Sequence, residues 1–175
     1  MKLIYYDFGK QLSTQEQKSE YWLALTQRFP DSVEHWNNLG NAYHLEGSHS
    51  EAINAYQKGL KLDSTKHEVL YNLSVVYADM KNYTECEKYL LLALKEDPVN
   101  AVYLHLLGEI LFRMGNKEKA IITLEKAAKL GSPKALSDLS NLLIDSGEYE
   151  KGNEYYKKYL EKVGYFDDPR YQEDD

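Results

Sequence analysis

The amino-acid sequence predicts an all-α fold, a right-handed α-solenoid of stacked helix-turn-helix units. Three observations carry that reading. Large and small apolar residues return in the same order at a step of 34 residues, capping signals recur at matching places, and glycine recurs at the turn inside a unit.

The 175-residue chain is long enough for a hydrophobic core without a metal or disulfide staple. Cys86 is its single cysteine, which suits a reducing compartment. The start, MKLIYYDFGK, has too short an apolar run for a secretory leader, and no later run approaches the length of about 18 residues that a spanning helix needs. A cytoplasmic, unanchored protein is expected, with no membrane contact. Net charge is −7, much of it from the acids Asp167, Asp168, Glu173, Asp174 and Asp175 near the end. A mildly acidic body without a lysine or arginine stripe argues against a nucleic-acid partner, because such binding rests on neutralising phosphates.

Taken in order, residues 1–12 are aromatic-rich but have no clear period. Residues 13–30 read as a capping helix: Ser13 with Glu16 has capping-box spacing, Tyr21, Trp22, Leu25 and Phe29 supply an apolar face, and Pro30 stops it. Residues 31–164 hold four repeat units. Trp36 is followed at the 34-residue step by Leu70 and Leu104, Leu39 by Leu73 and Leu107, Gly40 by Ser74 and Gly108, Ala52 by Cys86 and Ala120, and Tyr56 by Leu90 and Leu124. A fourth unit, reached after 32 residues, repeats the order with Leu136, Leu139, Ser140, Gly152 and Tyr156.

Each unit makes two helices of about 14 residues, roughly 21 Å long. They are expected to meet at small residues, with Gly40, Ser74, Gly108 and Ser140 on one helix facing Ala52, Cys86, Ala120 and Gly152 on the other. Asp31 with Glu34, Ser48 with Glu51, Thr65 with Glu68 and Asn82 with Glu85 have capping-box spacing, and Ser132 then Pro133 reads as an N-cap followed by N1 proline. Gly47, Gly115 and Gly147 stand where a first helix must end in a left-handed residue, and Lys81 holds that slot in the second unit. In the last helix Tyr155, Tyr156, Tyr159, Leu160 and Val163 are expected to pack inward, leaving lysine and glutamate outside. Residues 165–175 read as a disordered acidic tail.

The spacing of Trp36, Leu39, Gly40, Tyr43, Ala52 and Tyr56, with Pro98 closing the second unit, resembles the tetratricopeptide repeat (TPR) family over residues 33–163. The junction AAKLGSPKAL, residues 127–136, resembles the related Sel1-like repeats. The resemblance implies a superhelix whose first helices line a concave groove, and a protein-interaction adaptor or scaffold that holds a peptide or partner segment there. A cytosolic secretion or assembly chaperone is the alternative. On the groove-facing side lie Asn37, Asn41, His44, Glu68, Tyr71, Asn72, Val75, His105, Glu109, Phe112, Arg113 and Asn141. Tyr71, Val75, His105 and Phe112 would form an apolar centre, and the asparagines would hold a peptide backbone.

Some family members clamp the C-terminal carboxylate of chaperones of the 70 and 90 kDa classes. Asn41 and Asn72 fall on the clamp's asparagine positions, but its basic positions fall on Asn37, Val102 and Leu106, so tight binding of an acidic chaperone tail is not expected. His35, His44, His49, His67 and His105 are dispersed rather than paired at metal-ligand spacing, and the chain has neither a phosphate-binding glycine loop nor a nucleophile elbow. Neither an enzyme nor a cofactor or metal site is expected. Self-association, or docking of the tail through Tyr165, Phe166 and Tyr171, is a further expectation.

Overall fold

The structure, a computed structural model, describes residues 18–165, and its regular elements there are all helical. They are α1 (Ser19–Arg28), α2 (Val33–Leu45), α3 (His49–Leu62), α4 (His67–Asp79), α5 (Tyr83–Glu96), α6 (Ala101–Arg113), α7 (Lys117–Lys129), α8 (Pro133–Ile144) and α9 (Tyr149–Val163). Residues 1–12, the Ser13–Glu16 cap, and Phe166 and Tyr171 of the tail lie outside the described residues. Two compact bodies divide at Pro98 and Val99, the first holding α1 to α5 and the second α6 to α9. In the first, consecutive helices pack in chain order and α2 also touches α4; in the second, consecutive helices pack likewise and α6 touches α8. Each body is a stack of helix-turn-helix pairs, an all-α solenoid arrangement.

Pairing within a unit depends on the small slot. A Cβ built on Gly40 would lie 2.5 Å from Cε1 of Tyr56, and one on Gly108 would lie 2.6 Å from Cγ of Leu124. Both partners are buried, so the second helix fills the volume that a side chain would occupy. In the last unit the missing side chain is on the other helix: Ser140 is a full residue, and a Cβ on Gly152 would lie 2.6 Å from Cγ1 of Ile144 and 3.1 Å from the Ser140 carbonyl oxygen. Tyr56 then reaches past its own unit, packing with Ala52 of α3 and with Val69, Leu73 and Val76 of α4. At the other edge of the first body, Trp22 of α1 joins Leu39, Ala42 and Ala55, and the Trp36 indole N–H donates to the Pro30 carbonyl at 2.7 Å.

The turns inside units share one device. After α2, Gly47 N–H donates to the His44 carbonyl and Ser48 N–H to that of Tyr43, at 3.0 and 2.9 Å. The same pair of bonds, the Schellman arrangement, follows α4 at Lys81 and Asn82, α6 at Gly115 and Asn116, and α8 at Gly147 and Glu148. It requires positive φ at its first residue, and Gly47, Gly115 and Gly147 have φ near +80° while Lys81 has +59°. Lysine there pays for a left-handed backbone that glycine adopts freely.

Capping agrees in part with the spacing argument. Asn82 caps α5 by accepting from Glu85 N–H at 3.3 Å, and Ser132 caps α8 by accepting from Ala135 N–H at 3.3 Å, with Pro133 next. For α2 the cap is Ser32, one residue after Asp31, accepting from His35 N–H at 3.2 Å. Ser48 stands at the N-cap of α3 but its hydroxyl makes no cap bond. Thr65 caps nothing: the Asp63 carboxylate takes both its N–H and its hydroxyl, at 2.9 and 2.7 Å, and Lys66 becomes the N-cap of α4. These bonds hold the Asp63 carboxyl below its ordinary pKa. A short aspartate two residues upstream competes for the groups that a cap would use.

The last helix departs from expectation. Tyr155, Tyr159 and Leu160 are partly buried, whereas Tyr156 and Val163 are exposed. Two differences accompany this: Tyr56 is covered both in the slot left by Gly40 and by α4, whereas the last unit has serine at position 140 and no described helix follows α9.

Two substitutions test this reading in opposite directions, by chemical denaturation followed by circular dichroism. Lys81→Gly should stabilise the fold by about 1 kcal/mol by relieving the left-handed backbone. Gly40→Ala should destabilise it by about 2 kcal/mol, because overpacking against a rigid buried ring outweighs the better helix propensity of alanine.

Candidate interaction surface

Helices α2, α4, α6 and α8 are the first helices of their units, and they carry every residue that the sequence pattern places on the binding face. In the first body that face is largely engaged with itself. Asn72 Nδ2 donates to Asn37 Oδ1 at 2.9 Å, joining α4 to α2. Farther along the same helices His44 Nε2 donates to Asp79 Oδ2 at 2.7 Å. Asn41 Oδ1 accepts from the Tyr56 hydroxyl at 2.6 Å. Burial pushes the Tyr56 phenol far above its ordinary pKa, so it keeps the proton that this bond requires.

In the second body the equivalent link joins an imidazole to a carboxylate, as His44 and Asp79 do in the first. His105 Nε2 donates to Asp138 Oδ2 at 2.7 Å, joining α6 to α8. His105 lies two repeat steps after Asn37, and Asp138 holds the place matching Asn72 once the shorter last step is allowed for. All three links thus obey one register: a residue on one inner helix meets the residue one place beyond its equivalent on the next. Side chains lean toward the helix N-terminus, so level contact between like-directed helices favours this offset.

The remaining residues of the expected site separate by burial. Tyr71 and Val75 are 6% and 5% exposed and belong to the core of the first body. Glu68 is partly buried, and Lys66 Nζ approaches its Oε2 at 3.4 Å without hydrogen-bond geometry. On the second body Phe112 is 47% exposed. One place away, Arg113 donates through Nε and Nη2 to Glu109 Oε1, at 3.1 and 2.8 Å. Asn141 on α8 is exposed, as are Val102 on α6 and Lys134 on α8. The α6 and α8 surface therefore offers an accessible ring, a guanidinium held by a neighbouring carboxylate, and an open amide. Such a surface can hold a peptide by an apolar anchor and hydrogen bonds.

Asp79 and Asp138 were not among the residues singled out from sequence, although both complete links on this face. Their signal was a polar residue one place past each repeat equivalent. Among the described residues there is no group of three or more His, Cys, Asp or Glu that could hold a metal. No helix among them is long and apolar enough to cross a membrane.

Comparison with known proteins follows the same repeats. A family model described as TPR repeat matches residues 40–81, and one described as Tetratricopeptide repeat matches residues 67–100 and 101–130. The chain is 24% identical over 142 residues to the BBSome complex member BBS4 homolog of Drosophila melanogaster; the match takes in 77% of this chain and 29% of that relative. It therefore spans less than a third of that protein's length. Among solved structures, the crystal structure of MamA aligns with a TM-score of 0.77 at 23% identity, covering 89% of this chain and 97% of that one. The structure of YrrB, titled a TPR protein with an unusual peptide-binding site, aligns at 0.72 with 20% identity, covering 82% and 75%. At such identities the structural likeness speaks for the fold alone.

The Asn37–Asn72 link is open to a double-mutant cycle. Asn72→Ala should cost about 1–2 kcal/mol by leaving a part-buried acceptor unpaired. Combined with Asn37→Ala, the two should be non-additive by about 1 kcal/mol, measured by denaturant unfolding. Strict additivity would remove the link from the description of this face.

Proposed function

The chain belongs to the tetratricopeptide repeat family, and on that premise we propose that it is a protein-interaction scaffold whose α6 and α8 face holds a peptide segment of a partner protein. The observation that carries the proposal is the exposed Phe112 beside the Arg113–Glu109 pair, on helices already linked by His105 and Asp138. Binding then orders few protein side chains, and the incoming segment bears most of the entropic cost. The unusual peptide-binding site of YrrB supports a peptide reading for the fold, and the membership of BBS4 in a complex supports a role in assembly. Neither fixes the partner of this chain.

The division of the face also shapes what is recognised. On the first body the asparagines and His44 already have partners on the same protein. A ligand there would have to displace those bonds, whereas Phe112 and Asn141 present surface that needs no displacement. An apolar or aromatic anchor flanked by acceptors for Arg113 is the ligand chemistry that fits.

Selection from a displayed library of random peptides supplies a test without a known partner. The wild-type chain should enrich sequences sharing an apolar anchor. A Phe112→Ser, Asn141→Ala variant should bind the same peptides at least about tenfold more weakly, a loss typical of an interface anchor, with an unchanged thermal melt. Absence of enrichment, or equal binding by the variant, would overturn the proposal.

A further inference from the structure

The outward face of α7 is basic and partly apolar. Ala120, Leu124 and Ala127 point inward and are buried, while Lys119, Ile122, Lys126 and Lys129 recur at intervals of three, four and three on the opposite side, all exposed. Ile122 is 54% exposed, and Leu130, just beyond the last turn, 45%. Acids are few here: Glu118 stands at the edge of the face in the first turn, and Glu125 is turned aside to accept from the Tyr155 hydroxyl of α9 at 3.4 Å. Lys151 and Lys158 of α9 are held by Glu148 and Glu154, but the ammonium groups of Lys119, Lys126 and Lys129 pair with no described carboxylate.

Lys162, likewise unpaired among the described residues, extends this patch. A Cβ built on Gly131, in the turn after α7, would lie 3.7 Å from its Nζ, so the last turn of α9 comes beside the end of α7. The chain then leaves α9 through Gly164, with φ +79°, and the exposed Tyr165.

We propose that the following segment, residues 166–175, docks along this outer face of α7 in the same molecule. Charge is complementary: FDDPRYQEDD carries Asp167, Asp168, Glu173, Asp174 and Asp175 against Arg170, and it meets a face whose lysines have no other described partner. Reach also fits, since these ten residues span up to about 35 Å when extended whereas α7 is about 20 Å long. The segment starts beside Lys129 and Lys162 and runs toward Lys119. Phe166 and Tyr171, separable by up to about 17 Å, can meet Leu130 and Ile122, which stand about 12 Å apart along the helix. Covalent attachment keeps the local concentration of the segment in the millimolar range or above, so a modest affinity is enough. The α6 and α8 face suits it poorly, because Glu109 and Asp138 there have the same sign of charge as the segment. Docking on α7 closes the outer face to other anionic partners and leaves Phe112 open.

Paramagnetic relaxation enhancement in the full chain tests the proposal. A nitroxide on Gln172→Cys, in a Cys86→Ala background that keeps the slot small, should cost the backbone amides between Lys119 and Lys129 their signal intensity and spare those around Phe112 and Tyr156. The loss should fade in 1 M salt, where the Debye length falls to about 3 Å. A Lys126→Glu, Lys129→Glu change should abolish it, and adding Asp167→Lys, Asp168→Lys to that variant should restore it, with far-UV circular dichroism showing each variant folded. Absence of any loss on α7, or loss centred on Phe112 or on Tyr156 instead, would overturn the proposal. Loss that survives the Lys126→Glu, Lys129→Glu change would overturn the charge pairing. Loss on an isotope-enriched chain without nitroxide, mixed with nitroxide-bearing chains, would show contact between molecules and equally overturn docking within one.

Discussion

The stack depends on how closely the two helices of a unit approach at one slot. Where Gly40 lacks a side chain the Tyr56 ring occupies the space, and where Gly108 lacks one Leu124 does. That approach brings the Tyr56 ring through its own unit to α4, so one contact closes a unit and starts the next. In the last unit, with serine at position 140 and glycine at 152, the gap lies on the second helix instead, and the second unit closes with the small pair Ser74 and Cys86 and no glycine.

A second layer of order follows from the first. With the second helices set by the slot, neighbouring inner helices stand near enough for side chains to join them, and three bonds do so at one common offset. Polar residues on a binding face are often read as waiting for a ligand. Here Asn37, Asn72, His44 and His105 already serve to hold inner helices together, while Phe112 on the second body is exposed. A scaffold gains rigidity from such bonds and leaves recognition to the residues between them.

How legible this was in the sequence depended on the scale of the feature. The 34-residue return of size classes was enough for the helices, since the slot constrains volume and volume is visible in residue type. The left-handed turns were readable for the same reason, including Lys81, because position in the repeat outweighed the identity of the residue. Capping at Thr65 was misread: Asp63 competes locally, and capping-box spacing alone cannot express that competition. Asp79 and Asp138 escaped notice because their partners lie on another unit, one place out of register. The exposure of Tyr156 was hidden because a repeat pattern describes an interior unit, whereas part of the cover at that site comes from the following helix.

If the polar groups of the inner face are committed to the fold, the side-chain amide protons of Asn72 should report it directly. Solvent exchange of the Asn72 Nδ2 protons, followed by NMR in the ligand-free protein, should be slowed relative to an exposed amide such as that of Asn141, and the protection should vanish on Asn37→Ala with the backbone still folded. Exchange at the rate of an exposed amide in the parent protein would contradict it, and would return Asn37 and Asn72 to the surface available for a ligand.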